Sequence, residues 1–302
     1  MKAVQINGYG GKEVVQVTAD AAKPAPGKGQ VLVEVHAAGV NPFDITVREG
    51  GAKQMAELDF PATLGGDFAG VIVGTGEAVY GQAGALSGHG SFAEYTPVRT
   101  SQLAPKPKGL DFAEAAALPL AATSAYQALV DHMGLQKGQK ILIHGGAGGI
   151  GSLAIQLAKY LGTYVATTVS DRDADFVKGL GAGEVIDYKT QDFTKLVKDY
   201  DAVFDTVGGE TNKKSYKVLK PGGKLVSMVV QPDEALVEKY RIDYTAQFTR
   251  STTERLAAVA RLVDEGLLKP QIDKVFQLDR AAEALEYLKT GRPRGKVLIR
   301  IR

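Results

Sequence analysis

Cysteine is absent from the 302 residues. Disulfides, thiolate metal ligands and a cysteine nucleophile are therefore excluded, and the composition fits a reducing compartment. Histidine is scarce, with four residues. His36, His89, His132 and His144 show no ligand spacing with one another or with a carboxylate cluster. Charge of one sign is not in excess either. A net charge of +2 creates no field that would select nucleic acid or a membrane surface, and no aromatic-basic platform is visible. No apolar run is long enough to span a bilayer. The opening MKAVQINGYG lacks a basic n-region and an apolar h-region. The expectation is a cytoplasmic protein with neither a nucleic-acid nor a membrane partner. Internal repeats, low-complexity segments and flexible linkers are also missing.

Apolar residues make up 44% and charged residues 23%, as in ordinary globular proteins. The length suits two domains. In the first ~115 residues glycine and proline recur and short apolar segments alternate. Val31, Val33 and Val35 fall on one face of Gln30–His36, as in a half-buried strand; residues 68–73 and 91–98 also look extended. The middle changes style. Strands are expected at 141–144, 164–169, 184–187, 202–205 and 224–230, with helices at 152–161, 173–180, 190–198 and 212–219. Strand–helix alternation with short connections argues for a parallel, doubly wound sheet. The tail has a helix from Thr253 ending near Gly266, strands at 272–278 and 296–301, and a helix from Asp279 between them. The fold expected is α/β, with a Rossmann sheet inserted into a mostly-β domain. Residues 1–118 and 266–302 form the β domain, and 119–265 the inserted one.

The chemistry-bearing motif is GGAGGIG, at 145–151. An apolar strand precedes it and an amphipathic helix follows, the context a dinucleotide turn requires. Gly146 permits the tight turn, Gly148 admits a pyrophosphate close to the backbone, and Gly151 allows close helix packing. The N–H groups of the helix start, including those of Ala147, Gly149 and Ile150, face the phosphates. Near the end of the second strand Asp171 lies at the distance expected of an acid that holds a ribose 2′-hydroxyl, which favours NAD. Ser170 and Arg172 offer a hydroxyl and a guanidinium suited to the 2′-phosphate of NADP. Ser170 also reads as a helix N-cap, with Asp173 completing a capping box.

Nine segments, in order and over nearly the whole chain, resemble the zinc-independent quinone oxidoreductases of the medium-chain dehydrogenase/reductase superfamily. They are AAGVNPFDITVREG (37–50), FPATLGGDFAGVI (60–72), GSFAEY (90–95), AAALPLAATSAYQAL (115–129), ILIHGGAGGIGSLAIQLAK (141–159), LGAGEVIDY (180–188), FDTVGG (204–209), LKPGGKLV (219–226) and GKVLI (295–299). The resemblance implies a GroES-like first domain, an NADPH-binding Rossmann domain and a homodimer built partly through 242–248. Zinc alcohol dehydrogenases carry cysteine and His-Glu ligands in the first domain. Asn41 and Gly66-Asp67 stand at the matching places, so no metal is expected. Carried over by position, Asn41 is the catalytic candidate, beside nicotinamide and substrate. Thr123 contacts the nicotinamide end. Ser170, Arg172 and Tyr188 surround the 2′-phosphate. Thr206-Val207 and Val229-Val230 line the ribose and carboxamide, and Lys296 approaches the cofactor. One departure is clear: VGTGEAVYGQAG follows residue 72 directly, about a dozen residues shorter than the family pattern. That shortening affects a sheet edge and the substrate side more than the cofactor side.

The activity implied is NADPH-dependent hydride transfer to a quinone or to the β-carbon of an α,β-unsaturated carbonyl. Asn41, backbone N–H groups or a cofactor hydroxyl would stabilise the oxyanion, and water would supply the proton. The alternative is an NADPH-binding protein of crystallin-like or regulatory type with marginal catalysis.

Overall fold

The valines at 33 and 35 are buried in a long strand, Gln30–Val40, of the computed structural model, which describes residues 1–302. This strand is the spine of a seven-stranded sheet. On one side it pairs antiparallel with Lys296–Arg300, which in turn pairs in parallel with Ile272–Gln277. On the other it pairs with Asp67–Ile72, while Tyr95–Arg99 pairs with its first half, residues 30–34, on the same side as Lys296–Arg300. Ala78–Gln82 and Leu103–Pro105 complete the sheet. The C-terminus thus returns to the first domain. A smaller sheet joins Val15–Thr18, Ala3–Ile6 and Ala62–Thr63. Val4, Ile6, Val40, Ile45, Leu64 and Phe92 pack with Leu285 and Val297 in the main core of this unit, each fully buried side chain contributing about 1.5–3 kcal/mol.

The second sheet has six strands, all parallel: Glu184–Asp187, Tyr164–Val169, Lys140–His144, Tyr200–Asp205, Leu219–Ser227 and Asp243–Ala246, in that spatial order. From Lys140–His144 the chain first adds strands to one side and then to the other, the doubly wound plan expected. Its core joins Leu142, Ala166, Ile186, Val203 and Leu225 to Tyr216.

The compact units are Met1–Thr123 with Ser251–Gly266 and Pro270–Arg302, and Ser124–Arg250 with Leu267–Lys269. The first division falls inside the helix Pro119–Tyr126, not ahead of it. Helix Thr253–Asp264, expected within the inserted domain, packs with the β unit. Tyr80 Oη donates to Leu256 O at 2.6 Å, and Thr253 Oγ1 to Leu103 O at 2.9 Å. Thr252 rather than Thr253 caps it, accepting from Arg255 N. The expected helix at 190–198 is a single turn, Phe193–Leu196. The strand expected from 224 begins earlier, at Leu219, and runs through Pro221-Gly222-Gly223 with a register shift against its neighbour. The short connection after residue 72 closes a hairpin, and Ala78–Gln82 pairs with Leu103–Pro105 on its far side, so the shortening leaves no edge open there. No helix is long and apolar enough to cross a membrane.

Candidate active site

The glycine turn leaves the strand Lys140–His144 and enters the helix Gly149–Tyr160. Its left-handed residue is Gly145, with φ 75°. The lack of a side chain at Gly146 serves space instead: a Cβ there would overlap Thr167 Oγ1, which donates to Ile143 O at 2.7 Å. A Cβ on Gly151 would overlap the carbonyl oxygen of Gly145 and lie 2.8 Å from Gly146 Cα. Gly151 thus lets the helix close onto its own turn. Gly148 differs from both. A Cβ there would meet only Gly145 O, at 3.4 Å, and its φ of −76° suits any residue. Nothing in the protein demands glycine at 148, and the space beside it is open. Gly148 is the N-cap and offers no capping side chain. The first N–H groups of a helix have no intrahelical acceptor and carry the positive end of the helix dipole. An open, uncapped, electropositive turn fits a pyrophosphate.

The other residues assigned to the cofactor by position follow the carboxyl ends of neighbouring parallel strands, the edge at which doubly wound sheets bind ligands. Gly145 and Gly146 N–H groups donate to Thr168 O at 3.2 and 3.3 Å, and Tyr188 N to Val169 O at 3.1 Å. The turn touches the next loop, since a Cβ on Gly145 would lie 2.7 Å from Thr206 Oγ1 and 3.3 Å from Val207 Cγ2. A Cβ on Gly208 would lie 2.8 and 3.0 Å from Val229 and Val230. Tyr188, Val207 and Val229 are 55%, 55% and 57% exposed, so their side chains are accessible to a ligand. Ser170 is buried and donates to Asp173 Oδ2 at 2.7 Å, while Arg172 Nε meets the same oxygen at 3.3 Å. The expected capping box does not form: no backbone N–H is capped by the Ser170 side chain, and hydroxyl and carboxylate bond to each other. Asp173, expected only as the other half of that capping box, is instead bonded directly to both Ser170 and Arg172.

Asn41, Thr123 and Lys296 belong to the first unit. Thr123 is fully buried, its hydroxyl bonded to Pro119 O and 2.7 Å from Ser251 Oγ. Asn41 begins the helix Pro42–Arg48, and its N–H donates to Asp44 Oδ2 at 2.7 Å. Its Nδ2 donates to Asp67 Oδ2 at 3.0 Å. Its Oδ1 accepts from Lys296 Nζ, which also reaches Val40 O at 3.3 Å and Asp67 Oδ2 at 3.4 Å. Burial pushes the Asp44 carboxyl up to about 7, with the nearby Asp67 charge adding to the rise. Asp44, Asp67 and Lys296 are each at least 95% buried, an arrangement that survives only when charges are paired and bonded.

A catalytic zinc does not fit here. The Asn41 and Asp67 oxygens face a lysine ammonium, which cannot ligate a metal and repels one. No three histidine, aspartate or glutamate side chains cluster anywhere. His144 is buried between Thr168 Oγ1 and Ser215 Oγ, both at 2.9 Å, and burial lowers its pKa to about 4. His36 packs against Phe112 with the rings tilted by 35°. His89 lines a cavity of about 280 Å³ with Asp20, Thr63 and Tyr95, away from Asn41.

Residues 27–108 match the alcohol dehydrogenase GroES-like domain, and residues 180–299 the zinc-binding dehydrogenase domain. The chain is 39% identical over 317 residues to a 2-methylene-furan-3-one reductase of Solanum lycopersicum, an alignment covering 99% of this chain and 79% of that protein. It is 37% identical over 320 residues, with the same coverage, to a chloroplastic NADPH-dependent alkenal/one oxidoreductase of Arabidopsis thaliana. The quinone oxidoreductase from Coxiella burnetii has a similar structure, with a TM-score of 0.91, 36% identity and coverage of 100% of this chain and 99% of that one. The chain belongs to the zinc-independent quinone oxidoreductase branch of the medium-chain dehydrogenase/reductase superfamily.

Proposed function

We propose that the protein is an NADPH-dependent reductase of quinones or of α,β-unsaturated aldehydes and ketones. The observation that carries the cofactor assignment is the open, uncapped helix start at Gly148, set at the same sheet edge as Ser170, Arg172 and Tyr188. The acceptor class is supported by what the relatives are called: an alkenal/one oxidoreductase, a furanone reductase and a quinone oxidoreductase.

NADPH, when bound, supplies the hydride from its nicotinamide. Ala147, Gly149 and Ile150 would hold the pyrophosphate with backbone N–H groups, adding charge-assisted bonds at the positive helix end; the Gly148 N–H is given to Gly145 O at 3.0 Å, and Gly148 would serve by leaving room for the phosphate to approach. Arg172 would face the 2′-phosphate, oriented by Asp173; the one hydroxyl proton of Ser170 is on Asp173, so Ser170 would donate to the phosphate only on releasing that bond. Tyr188, Val207, Val229 and Val230 would cover the adenosine and ribose. Thr123 flanks the nicotinamide end. Asn41 Nδ2 has two hydrogens, and one is held by Asp67. The other donates to the acceptor's carbonyl oxygen as negative charge builds there. For an enone the balance would be hydride to the β-carbon and a proton from water to the α-carbon, giving the saturated carbonyl and NADP⁺. With a quinone, one hydride equivalent from NADPH and one proton from water would give the hydroquinone, with both added hydrogens ending on the two oxygens.

A cytoplasmic homodimer completes the proposal. Asp243–Ala246 is the last strand of its sheet, and Phe248 just beyond it is exposed; a second copy pairing there would cover both. The test is NADPH oxidation against a panel of quinones and enones, with product identification. Saturated carbonyl or hydroquinone should form one for one with NADP⁺. Tight NADPH binding with no turnover of either class would refute the enzyme and favour a binding protein.

A further inference from the structure

The Asn41 carboxamide lies between two groups of opposite kind. Lys296 Nζ has donors and no acceptor, so the amide oxygen must face it. The Asp67 carboxylate, paired with that ammonium, has acceptors only, so the amide nitrogen must face it. The orientation of an asparagine amide is usually a matter of inference; here the neighbours decide it. A flipped amide would set Oδ1 against a carboxylate and its NH₂ against an ammonium, losing two charge-assisted hydrogen bonds and adding two repulsions.

Both jaws of this clamp are themselves fixed. Asp67 Oδ1 accepts from Leu120 N at 3.0 Å and Gln82 Nε2 at 3.1 Å. Lys296 is tied to Val40 O at 3.3 Å. Sheet register builds the arrangement. Asn41 directly follows the central strand Gln30–Val40. Val297 lies opposite Val40 on one side, and Asp67 lies opposite Gly39 on the other. Gly39 is required there, because a Cβ would stand 2.5 Å from the Ala116 carbonyl oxygen and would also crowd Asp67 Cβ at 3.0 Å. The backbone of Asn41 is pinned as well, by its own N–H on Asp44.

We propose that Lys296 and Asp67 are positioning residues that lock the Asn41 carboxamide so that its second Nδ2 hydrogen is held for the acceptor oxygen. Lys296 then serves catalysis through Asn41 and not by contact with the cofactor: the three protein oxygens around its ammonium match its three donors. This role rests on the reading of Asn41 as the oxyanion donor. Preorganisation of this kind matters because a donor left free to rotate must be ordered during the reaction.

The test is a kinetic cycle on the full-length protein with one enone at saturating NADPH, together with NADPH titration of each variant. Asn41→Ala, Lys296→Met and the double variant are compared with wild type. Lys296→Met should lower kcat about tenfold or more, with the NADPH Kd within about twofold, and in the Asn41→Ala background it should cost almost nothing further, since residues acting as a unit are non-additive. Asp67→Asn, a nearly isosteric change, is run through the same cycle in case Lys296→Met fails to fold, and the same non-additivity is expected. Losses that multiply, or a Lys296 variant that weakens NADPH while sparing kcat, would overturn the positioning role and leave the Asn41 reading standing. An unchanged kcat in Asn41→Ala alone would remove that reading itself.

Discussion

Gly148→Ala separates the cofactor function of the glycine turn from its fold. Three glycines look equivalent in the motif, yet the added methyl meets different surroundings at each. At 148 it has one neighbour, Gly145 O at 3.4 Å, an ordinary contact, and the backbone angles are open to alanine. Narrowing the unfolded ensemble favours the variant by about 0.4–1 kcal/mol, and alanine is a poorer N-cap than glycine by roughly a similar amount. The unliganded protein should therefore unfold within ~1 kcal/mol of wild type, a shift of no more than about 4 °C for a chain of this size. In the complex the methyl occupies the space proposed for the pyrophosphate. Losing one or two charge-assisted N–H bonds costs about 1.5–3 kcal/mol each, so the NADPH Kd should rise roughly a hundredfold. Gly151→Ala is the contrast: its methyl overlaps the Gly145 carbonyl, a backbone group that cannot swing aside. It should destabilise the unliganded protein by about 1–3 kcal/mol, as overpacking does. Thermal unfolding without nucleotide and titration with NADPH give both quantities. A Gly148→Ala protein that binds NADPH within about threefold of wild type would sink the idea that phosphate approaches the backbone there. A Gly148→Ala protein as unstable as Gly151→Ala would show that the open space is not open.

Other consequences are as direct. Arg172→Ala should weaken NADPH by about tenfold, the worth of one exposed phosphate contact, and leave NADH within twofold; equal losses for both would detach Arg172 from the 2′-phosphate. Burial raises the Asp44 carboxyl from 3.8 to about 7, so the folded state binds the extra proton between those values. Its contribution to stability is complete below pH ~4 and is lost as pH rises to 7, a change on the order of 4 kcal/mol. Asp44→Asn should thus gain on wild type as pH rises from 5 to 8 in unfolding titrations, and a difference that stays flat with pH would refute the buried acid. His144 has the opposite sign: its folded pKa, lowered to about 4, means stability present above 6.5 and lost below it, so His144→Gln should flatten the acid limb of the stability curve. Tyr80→Phe removes the 2.6 Å bond to Leu256 O and should cost about 1–2 kcal/mol in denaturant unfolding, with NADPH affinity unchanged.

The two halves of the candidate site differ in how far they can be read from sequence, and the reason is physical. The cofactor half is carried by contiguous stretches. Short β-rich stretches bounded by glycine turns mark strands, so Tyr164–Val169 and Glu184–Asp187 fall where expected, to the residue. Seven consecutive residues hold the turn, and the parallel sheet brings Ser170, Tyr188, Val207 and Val229 to one edge because each follows its strand's carboxyl end. Errors fall where local signals conflict. Pro221-Gly222-Gly223 reads as a turn, but the neighbouring strand absorbs it through a register shift. Asp192 caps a helix that extended backbone at Val197 stops after one turn. Pro42–Arg48 went unread because its buried face includes Asp44 and Arg48, which mark a helix's outer face by any hydropathy rule. The acceptor half has no contiguous signature at all. Asn41, Asp67 and Lys296 are 26 and 255 residues apart along the chain, and only the pairing of three strands sets them in contact. Each is unremarkable alone: an N-cap, an acid after two glycines, a lysine at a strand start. Resemblance supplied the expectation that Lys296 approaches the cofactor, and a lysine among cofactor residues suggests a phosphate partner. The register supplies a different partner, because a strand offset by one residue would turn Lys296 to the opposite face and leave Asp67 buried without its cation. The same register that sets the fold of the β unit therefore sets the direction of the Asn41 amide, so a substitution that shifts the Lys296–Arg300 strand should damage turnover before it damages NADPH binding.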